Sequence, residues 1–570
     1  MRIVSRTASA LAAATVCVLG VSSPASAVPA GPSRPAADDE PIVEDVWVEA
    51  PLDSDNDHRP DRVHLNIIRP VETDRAGQKV ASIIDASPYY GGFLDVPYHN
   101  VDVGRLPQQS SASGTERRRH DDRVSIRSHL VARSYASIIM DSLGTAGSTG
   151  CPDAGGKDET AATMAVIDWL DGKGRAYDAA GKIVRATWSA RSVAMWGASY
   201  DGTLPIAAAV TGRSALKAII PMSAVTSWYD YYRANGLVVA PGNYQGEDLD
   251  IMARAVLTRE HPEACAAAMD RLEAEQDRVS GDYSPVWAER DYAARAGQIK
   301  AAVLVVQGLR DWNVKTQQGI RFWEALGRAG VDRKLWLYDG GHGVARSSDF
   351  WETVDRWHEH YLYGVDNGVD REPPVTFEDA NATVTERATS WPVPGSKPVT
   401  VPLATGPNRV DTFTDNGRTV TAEALIADPS AAHRLIYRRP PLTKPARLSG
   451  TPYVTLTASI DNRTAANLTA LLVDFGPGGS APVVVSRGWM DPRNRISAQI
   501  SQPVVAGQRY RLRWNLQPKD YVFQAGHQIG LVVISTDHDY TLRPLPGTRI
   551  SVVPTASRVE LPLVGGRSAL

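Results

Sequence analysis

Between residues 41 and 372, short apolar runs alternate with segments whose apolar positions recur every three or four residues. The runs Ala81–Ala86, Tyr135–Met140, Ser192–Trp196, Ala302–Val306 and Leu335–Tyr338 are the strand candidates. Between them, Ala162, Ala165, Val166, Trp169 and Leu170 fall on one helical face, behind Asp158 and Glu159 as cap and dipole partners. That face suits a crossover helix packed on a parallel sheet. Strands alternating with helices predict an α/β, doubly wound domain with its functional groups at the carboxyl ends of the strands.

The pattern changes twice. From about 226 to 297 it becomes aromatic and charged helical sequence, with Trp228-Tyr229-Asp230-Tyr231-Tyr232 and Glu247-Asp248, and predicts a helical cap inserted over the site. After Pro373 and Pro374, Tyr510, Leu512, Trp514 and Leu516 alternate with Arg511, Arg513, Asn515 and Gln517, and Val454, Leu456 and Ala458 with Thr455, Thr457 and Ser459. Period-two patterning between Gly and Pro turns predicts antiparallel strands, and an all-β, jelly-roll-like sandwich over 373–565.

A chain of 570 residues exceeds one core and fits this two-domain division. Its start differs in kind. Arg2 and Arg6, an apolar run from Ala8 to Val21 and Ala25-Ser26-Ala27 read as a secretory signal over 1–27, followed by a flexible Pro- and Ala-rich leader over 28–40. The expected mature product is a soluble, extracellular protein without a membrane anchor. The whole chain has 61 Lys and Arg against 64 Asp and Glu, net −3, and loss of Arg2 and Arg6 makes it more negative still. No broad positive field exists to hold nucleic acid. The mature chain keeps Cys151 and Cys265, and the sequence leaves open whether they bridge or remain separate buried thiols.

One segment carries the chemistry. Val193-Ala194-Met195-Trp196 breaks into Gly197-Ala198-Ser199-Tyr200-Asp201-Gly202 and then into an Ala-rich helical stretch. A strand that turns sharply into a helix lifts the Ser199 hydroxyl above the sheet edge and aims the Tyr200 N–H at a developing oxyanion. The spelling departs from Gly-x-Ser-x-Gly, since Asp201 holds the fifth place. A serine nucleophile needs a base, and the base an acid that fixes its tautomer. Asp311 follows the run Ala302–Val306, and His342 follows Leu335–Tyr338 between glycines. Among the 12 histidines, His358 and His360 fall in a helical pattern and His64 in a strand, where structural roles are expected. Asp339 is the rival acid, but it shares a loop with His342. Ser199, Asp311 and His342 are therefore the expected triad, in α/β-hydrolase order.

Gly-x-Ser-Tyr-x-Gly, the acid in Gly308-Leu309-Arg310-Asp311-Trp312-Asn313-Val314, the Gly-Gly-His turn and the trailing sandwich resemble the Xaa-Pro dipeptidyl-peptidase and cocaine-esterase-like serine hydrolases. Ser227-Trp228-Tyr229-Asp230-Tyr231-Tyr232-Arg233 and Gly246-Glu247-Asp248-Leu249-Asp250 resemble the Xaa-Pro dipeptidyl-peptidases in particular. The resemblance covers about 41–565 and implies that Tyr89 joins the Tyr200 N–H in the oxyanion hole. Tyr89 also lies just past a strand, where this fold finds its second donor, with Tyr90 as the neighbour most easily mistaken for it. The resemblance further implies that Trp228, Tyr231 and Val314 line a proline pocket while Glu247 and Asn313 bind a free amine. Without it, Trp228 and Tyr231 read as cap core, and Glu247 with Asp248 as a solvated acidic turn. The family's intracellular bacterial members carry an amino-terminal helical domain with no counterpart here, so the resemblance gives no oligomeric state.

The expected activity is thus release of Xaa-Pro dipeptides from peptides with proline second, by a secreted serine exopeptidase that requires no cofactor. Two alternatives stand beside it. One is an ester or amide (acyl-ester or β-lactam-type) hydrolase of the same family without amine recognition; the other is a polysaccharide-binding protein with a vestigial hydrolase domain. Asp53, Asp55, Asp57 and Asp61 are spaced as in calcium loops, although the bidentate Glu at the twelfth place is missing. An Asp-rich hairpin turn accounts for the same residues.

Overall fold

The computed structural model describes residues 40–103, 124–407 and 409–570. The expected signal segment, and all but the last residue of the leader, lie outside the described residues. A 12-stranded sheet organises the first domain. Its centre is a parallel array in the spatial order Val375–Glu378, Arg333–Tyr338, Ala302–Gly308, Leu216–Met222, Ser189–Ala198, Val80–Ser87 and Tyr135–Asp141. Arg62–Arg69 and Ile42–Glu49 extend one side antiparallel, and Val384–Ala388 closes the other.

Both faces of this sheet are covered, which is why its strands are apolar at consecutive positions. Ile84, Ile138, Met195, Val303 and Val305 pack into one core layer, and their neighbours Ile83, Ala194, Trp196, Leu304 and Val306 into the opposite one. All five expected strands lie within it. Leu216–Met222 escapes sequence reading because Lys217 and Pro221 interrupt its apolar run, although all but Lys217 is buried.

The helix Lys157–Leu170 buries Ala162, Ala165, Val166, Trp169 and Leu170 as expected, but its start corrects the sequence reading. The Asp153 carboxylate caps it, accepting from the N–H groups of Gly156, Asp158 and Glu159 at 2.9, 2.9 and 3.4 Å. Glu159 instead turns into the core.

The cap comprises helices Trp228–Tyr232, Leu249–Val256, Ala266–Glu275 and Pro285–Glu289, with a small ribbon of Arg233–Ala234 and Leu237–Val238. A disulfide between Cys151 and Cys265, 114 residues apart in sequence, ties the loop after Tyr135–Asp141 to this cap.

The domain change falls later than the 372/373 boundary read from Pro373 and Pro374. Val375–Glu378 pairs parallel with Arg333–Tyr338, and Val384–Ala388 pairs back on it. Val375, Phe377 and Ala388 belong to the first core, so the chain stays with the catalytic sheet to residue 388. Beyond it an eight-stranded and a four-stranded sheet enclose a second core that includes Leu456, Leu472, Leu512, Trp514, Leu531 and Leu561. This sandwich seats Trp489 against Ala234, Leu237 and Val239 of the cap, beside Trp312 and Tyr540. Among the described residues no helix is long and apolar enough to cross a membrane.

Candidate active site

Ser199 stands between the strand Ser189–Ala198 and the helix Tyr200–Ala209 with its backbone at φ 64° and ψ −129°. Few non-glycine residues hold that conformation, and the surrounding turn over-determines it. The Ser199 N–H donates to the Met222 carbonyl at 2.9 Å, and its own carbonyl accepts from Gly202 and Thr203. A Cβ on Gly197 would lie 2.4 Å from the Asp201 carbonyl oxygen, and one on Gly202 2.7 Å from that of Gly197. The shifted spelling follows from this contact: the helix passes the strand end at residue 202, and Asp201 packs inside.

Tyr200 opens the helix, so its N–H has no intrahelical acceptor. Its side chain runs inward, where its hydroxyl donates to Glu159 Oε2 at 2.5 Å. Glu159 also accepts from the Ser142 hydroxyl at 2.6 Å and from the Gly155 N–H at 2.5 Å. Burial pushes the Glu159 carboxyl up to about 7. This buried carboxylate under the serine turn is a site residue the sequence reading missed; its signal was an acid in the first turn of an amphipathic helix, shared with any exposed dipole partner.

Asp311 is fully buried, and its Oδ2 lies 2.8 Å from His342 Nδ1. Its Oδ1 accepts from the Asn313 N–H at 2.9 Å. The rival Asp339 pairs instead with Arg310 at 2.8 Å and is half exposed. The loops of acid and histidine are stitched together, with Leu309 N–H on the Tyr338 carbonyl and Arg310 N–H on that of Gly340. His342 keeps 31% of its side chain exposed, with Nδ1 on Asp311. His358 and His64 have the structural placements expected, one inside the helix Ser348–Tyr363 and one in the strand Arg62–Arg69.

Tyr89 is buried with its ring edge-on to Tyr200 at 6.0 Å, whereas the Tyr90 hydroxyl turns back to the Asp85 carbonyl. Trp228 meets Tyr200 at 4.9 Å and Tyr231 at 5.7 Å, both edge to face. Val314 is buried in the same core. The Tyr231 hydroxyl donates to Asn313 Oδ1 at 2.8 Å and links the cap to the acid loop.

Glu247 is only 6% exposed, against the solvated turn its sequence suggests. It accepts from the Tyr232 hydroxyl at 2.9 Å and the Tyr98 hydroxyl at 3.5 Å. Burial pushes its carboxyl up to about 7, while Lys315 nearby favours the charged form. Tyr98 and Tyr232 are thus further partners of Glu247; Tyr232 lies within the aromatic segment 227–233, and no motif marked Tyr98.

Asp53, Asp55 and Asp61 each bring one carboxylate oxygen within 4.8 Å of the others, while Asp57 accepts from the Arg59 N–H. Their oxygens already have protein donors. Arg259 pairs with Asp55, Ser54 donates twice to Asp61, and the N–H groups of Asp57 and His58 serve Asp53. With these contacts the loop joins Ile42–Glu49 to Arg62–Arg69.

A serine on a strained turn and a histidine fixed by a buried carboxylate form equipment for acyl transfer. Comparison with known proteins gives the same class. A family model described as X-Pro dipeptidyl-peptidase (S15 family) matches residues 57–344, and one for the X-Pro dipeptidyl-peptidase C-terminal non-catalytic domain matches 367–567. A Bacillus anthracis protein provisionally named as an Xaa-Pro dipeptidyl-peptidase is 45% identical over 92% of this chain and 88% of its own. The Xaa-Pro dipeptidyl-peptidase of Lacticaseibacillus casei is 31% identical over 91% of this chain and 76% of its own. Among solved structures, an α-amino acid ester hydrolase superposes with a TM-score of 0.64 at 17% identity, covering 95% of this chain and all of that one. An aminopeptidase from a Thaumarchaeota archaeon does so with a TM-score of 0.66 at 17% identity, covering 92% and 97%. At that identity the likeness concerns the fold.

Proposed function

The chain belongs to the X-Pro dipeptidyl-peptidase (S15) family of serine peptidases, and from that premise we propose that it is an exported exopeptidase releasing Xaa-Pro dipeptides from the free amino terminus of peptides. Ser199 Oγ attacks the carbonyl carbon of the proline while His342 Nε2 takes the hydroxyl proton; Asp311 holds the imidazole tautomer through Nδ1. The Tyr200 N–H and the Tyr89 hydroxyl receive the oxyanion. Collapse of the tetrahedral intermediate breaks the C–N bond, and the leaving amine takes the proton from His342. Water, deprotonated by the same imidazole, then attacks the acyl-enzyme and frees both dipeptide and serine.

Trp228, Tyr231 and Val314 surround the pyrrolidine ring, for which rigid aromatic walls are suited. Glu247 and Asn313 hold the substrate ammonium two residues upstream of the cut. The observation that carries this reading is Glu247: a buried carboxylate lined by tyrosine hydroxyls, joined through the cap to the loop of Asp311, suits a cation brought by the substrate. Export rests on the leader pattern at 1–27.

The test compares hydrolysis of Ala-Pro-para-nitroanilide with its amino-acetylated form, using Ser199→Ala as control. Cleavage of the free-amine substrate alone, lost in the control, is expected. Equal cleavage of both substrates would replace this reading with an ester or amide hydrolase without amine recognition.

A further inference from the structure

The acid loop, Leu309 to Lys315, lies between the cap and the sandwich; its own buried Lys315 reaches into the cap, and the sandwich sends the buried Lys519 to it. Lys315 is 1% exposed; its Nζ donates to the carbonyls of Ala240 at 3.0 Å and Tyr231 at 3.3 Å. It stands 5.8 Å from the ring centroids of both Tyr231 and Trp489. Lys519, in the sandwich strand Lys519–Phe523, is 5% exposed; its Nζ donates to the Leu309 carbonyl and lies 4.5 Å above the Trp312 ring. Leu309 and Trp312 flank Asp311 in sequence. A fully buried carboxylate needs compensation, and neutral partners supply only part of it. Burial pushes each ammonium down to about 7, and for both the largest opposing influence is the negative charge of Asp311.

We infer that Lys315 and Lys519 are positioning residues for Asp311: they pin its loop from two sides and, in their protonated forms, place positive charge beside the pair that Asp311 makes with His342. The inference rests on the reading of Asp311 as the triad acid. It gives the sandwich, whose family model is called non-catalytic, a direct hand in the site. Other charged or titratable groups face these three. Glu247 acts on Lys315; Arg487, Asp339 and Arg310 act on Lys519; His342, Tyr231 and Tyr338 border Asp311.

The experiment measures kcat and KM for Ala-Pro-para-nitroanilide from pH 5 to 9 in the full mature chain. The variants are Lys519→Gln, which keeps a donor for Leu309 but no charge, Lys519→Arg, Lys315→Met and Asp311→Asn. A fluorophosphonate titration counts folded sites, and thermal unfolding tracks stability. kcat is the quantity to read, because it reports the substrate-bound enzyme, in which Glu247 is already occupied. Removing a cation beside the pair favours the protonated imidazole. In Lys519→Gln and Lys315→Met the acidic limb of kcat should therefore move up by about half a pH unit or more, with kcat down about tenfold and KM within about twofold. Lys519→Arg should return the limb to its original place. An unmoved limb in whichever neutral variant folds, with activity falling only in step with thermal stability, overturns the inference. Retained activity in Asp311→Asn would instead overturn the triad reading beneath it.

Discussion

At the scale of single residues, the site is a set of buried charges whose environments differ. Asp311 has the N–H of Asn313, the imidazole of His342 and two lysines around it. Glu247 accepts from the hydroxyls of Tyr232 and Tyr98, burial dominates, and its carboxyl rises to about 7. The sign for binding follows. Below that pH the free enzyme carries a neutral Glu247, which cannot pair with a substrate ammonium, so KM for free-amine substrates should climb as pH falls through 7. In Glu247→Gln that dependence should vanish, and KM at pH 8 should rise roughly 10- to 100-fold, the equivalent of about 1.5–3 kcal/mol for a hydrogen bond to a charged group. Steady-state kinetics on Ala-Pro-para-nitroanilide checks both; an unchanged KM would remove Glu247 from the amine site.

At the scale of elements, the strand-to-helix turn at Ser199 is held by close backbone approach at Gly197 and Gly202, and the helix behind it by Asp153 from outside. The helix Ser348–Tyr363 covers the other face of the sheet and buries His358 completely, its ring against Tyr135 and Trp196. Neither of its nitrogens finds a partner among the described residues, and burial alone lowers its pKa to about 3 from the ordinary 6.5. Between those values the unfolded chain binds a proton that the folded chain refuses. Stability therefore falls as pH drops from 6.5 toward 3, by at most about 1.4 kcal/mol per pH unit from this group. His358→Phe removes the titrating group and keeps an aromatic ring. Thermal unfolding at pH 4.5 and 7.5 should show a smaller acid penalty in the variant than in the parent; an equal penalty would assign acid sensitivity to other groups.

At the scale of the whole molecule, cap, sheet and sandwich meet at the loop that carries Asp311. The cap is tied to the sheet by Tyr231 on Asn313 and by the Cys151–Cys265 disulfide, which closes a loop of more than 100 residues. Cross-links of that span stabilise by about 2–5 kcal/mol, chiefly by restricting the unfolded chain. Cys265→Ser should therefore unfold at markedly lower denaturant concentration, and reductant should lower the parent's midpoint but not the variant's. Identical midpoints would mean that the bridge adds nothing to stability in solution. The sandwich meets the cap through Trp489, and Gln517 accepts the Gln317 N–H just past the acid loop.

The sequence by itself determined the fold class, the helical character of the cap, the period-two sandwich, and the order and loop placement of Ser199, Asp311 and His342. These are local properties: apolar periodicity, a tight turn that demands small residues, and polar residues just past buried strands. The strand Leu216–Met222 and the continuation of the sheet to residue 388 were illegible, because a lysine and prolines broke patterns that tertiary burial restored. Long-range placement was illegible as well. Nothing in Lys157-Asp158-Glu159 marks Glu159 as the partner of Tyr200, nothing in Gly246-Glu247-Asp248 says that Glu247 is dry, and nothing in Pro518-Lys519-Asp520 points to a loop 210 residues earlier. Only the tertiary structure decided which charges are buried and what compensates them, because desolvation and Coulomb attraction depend on distance in space, whereas the sequence records only distance along the chain.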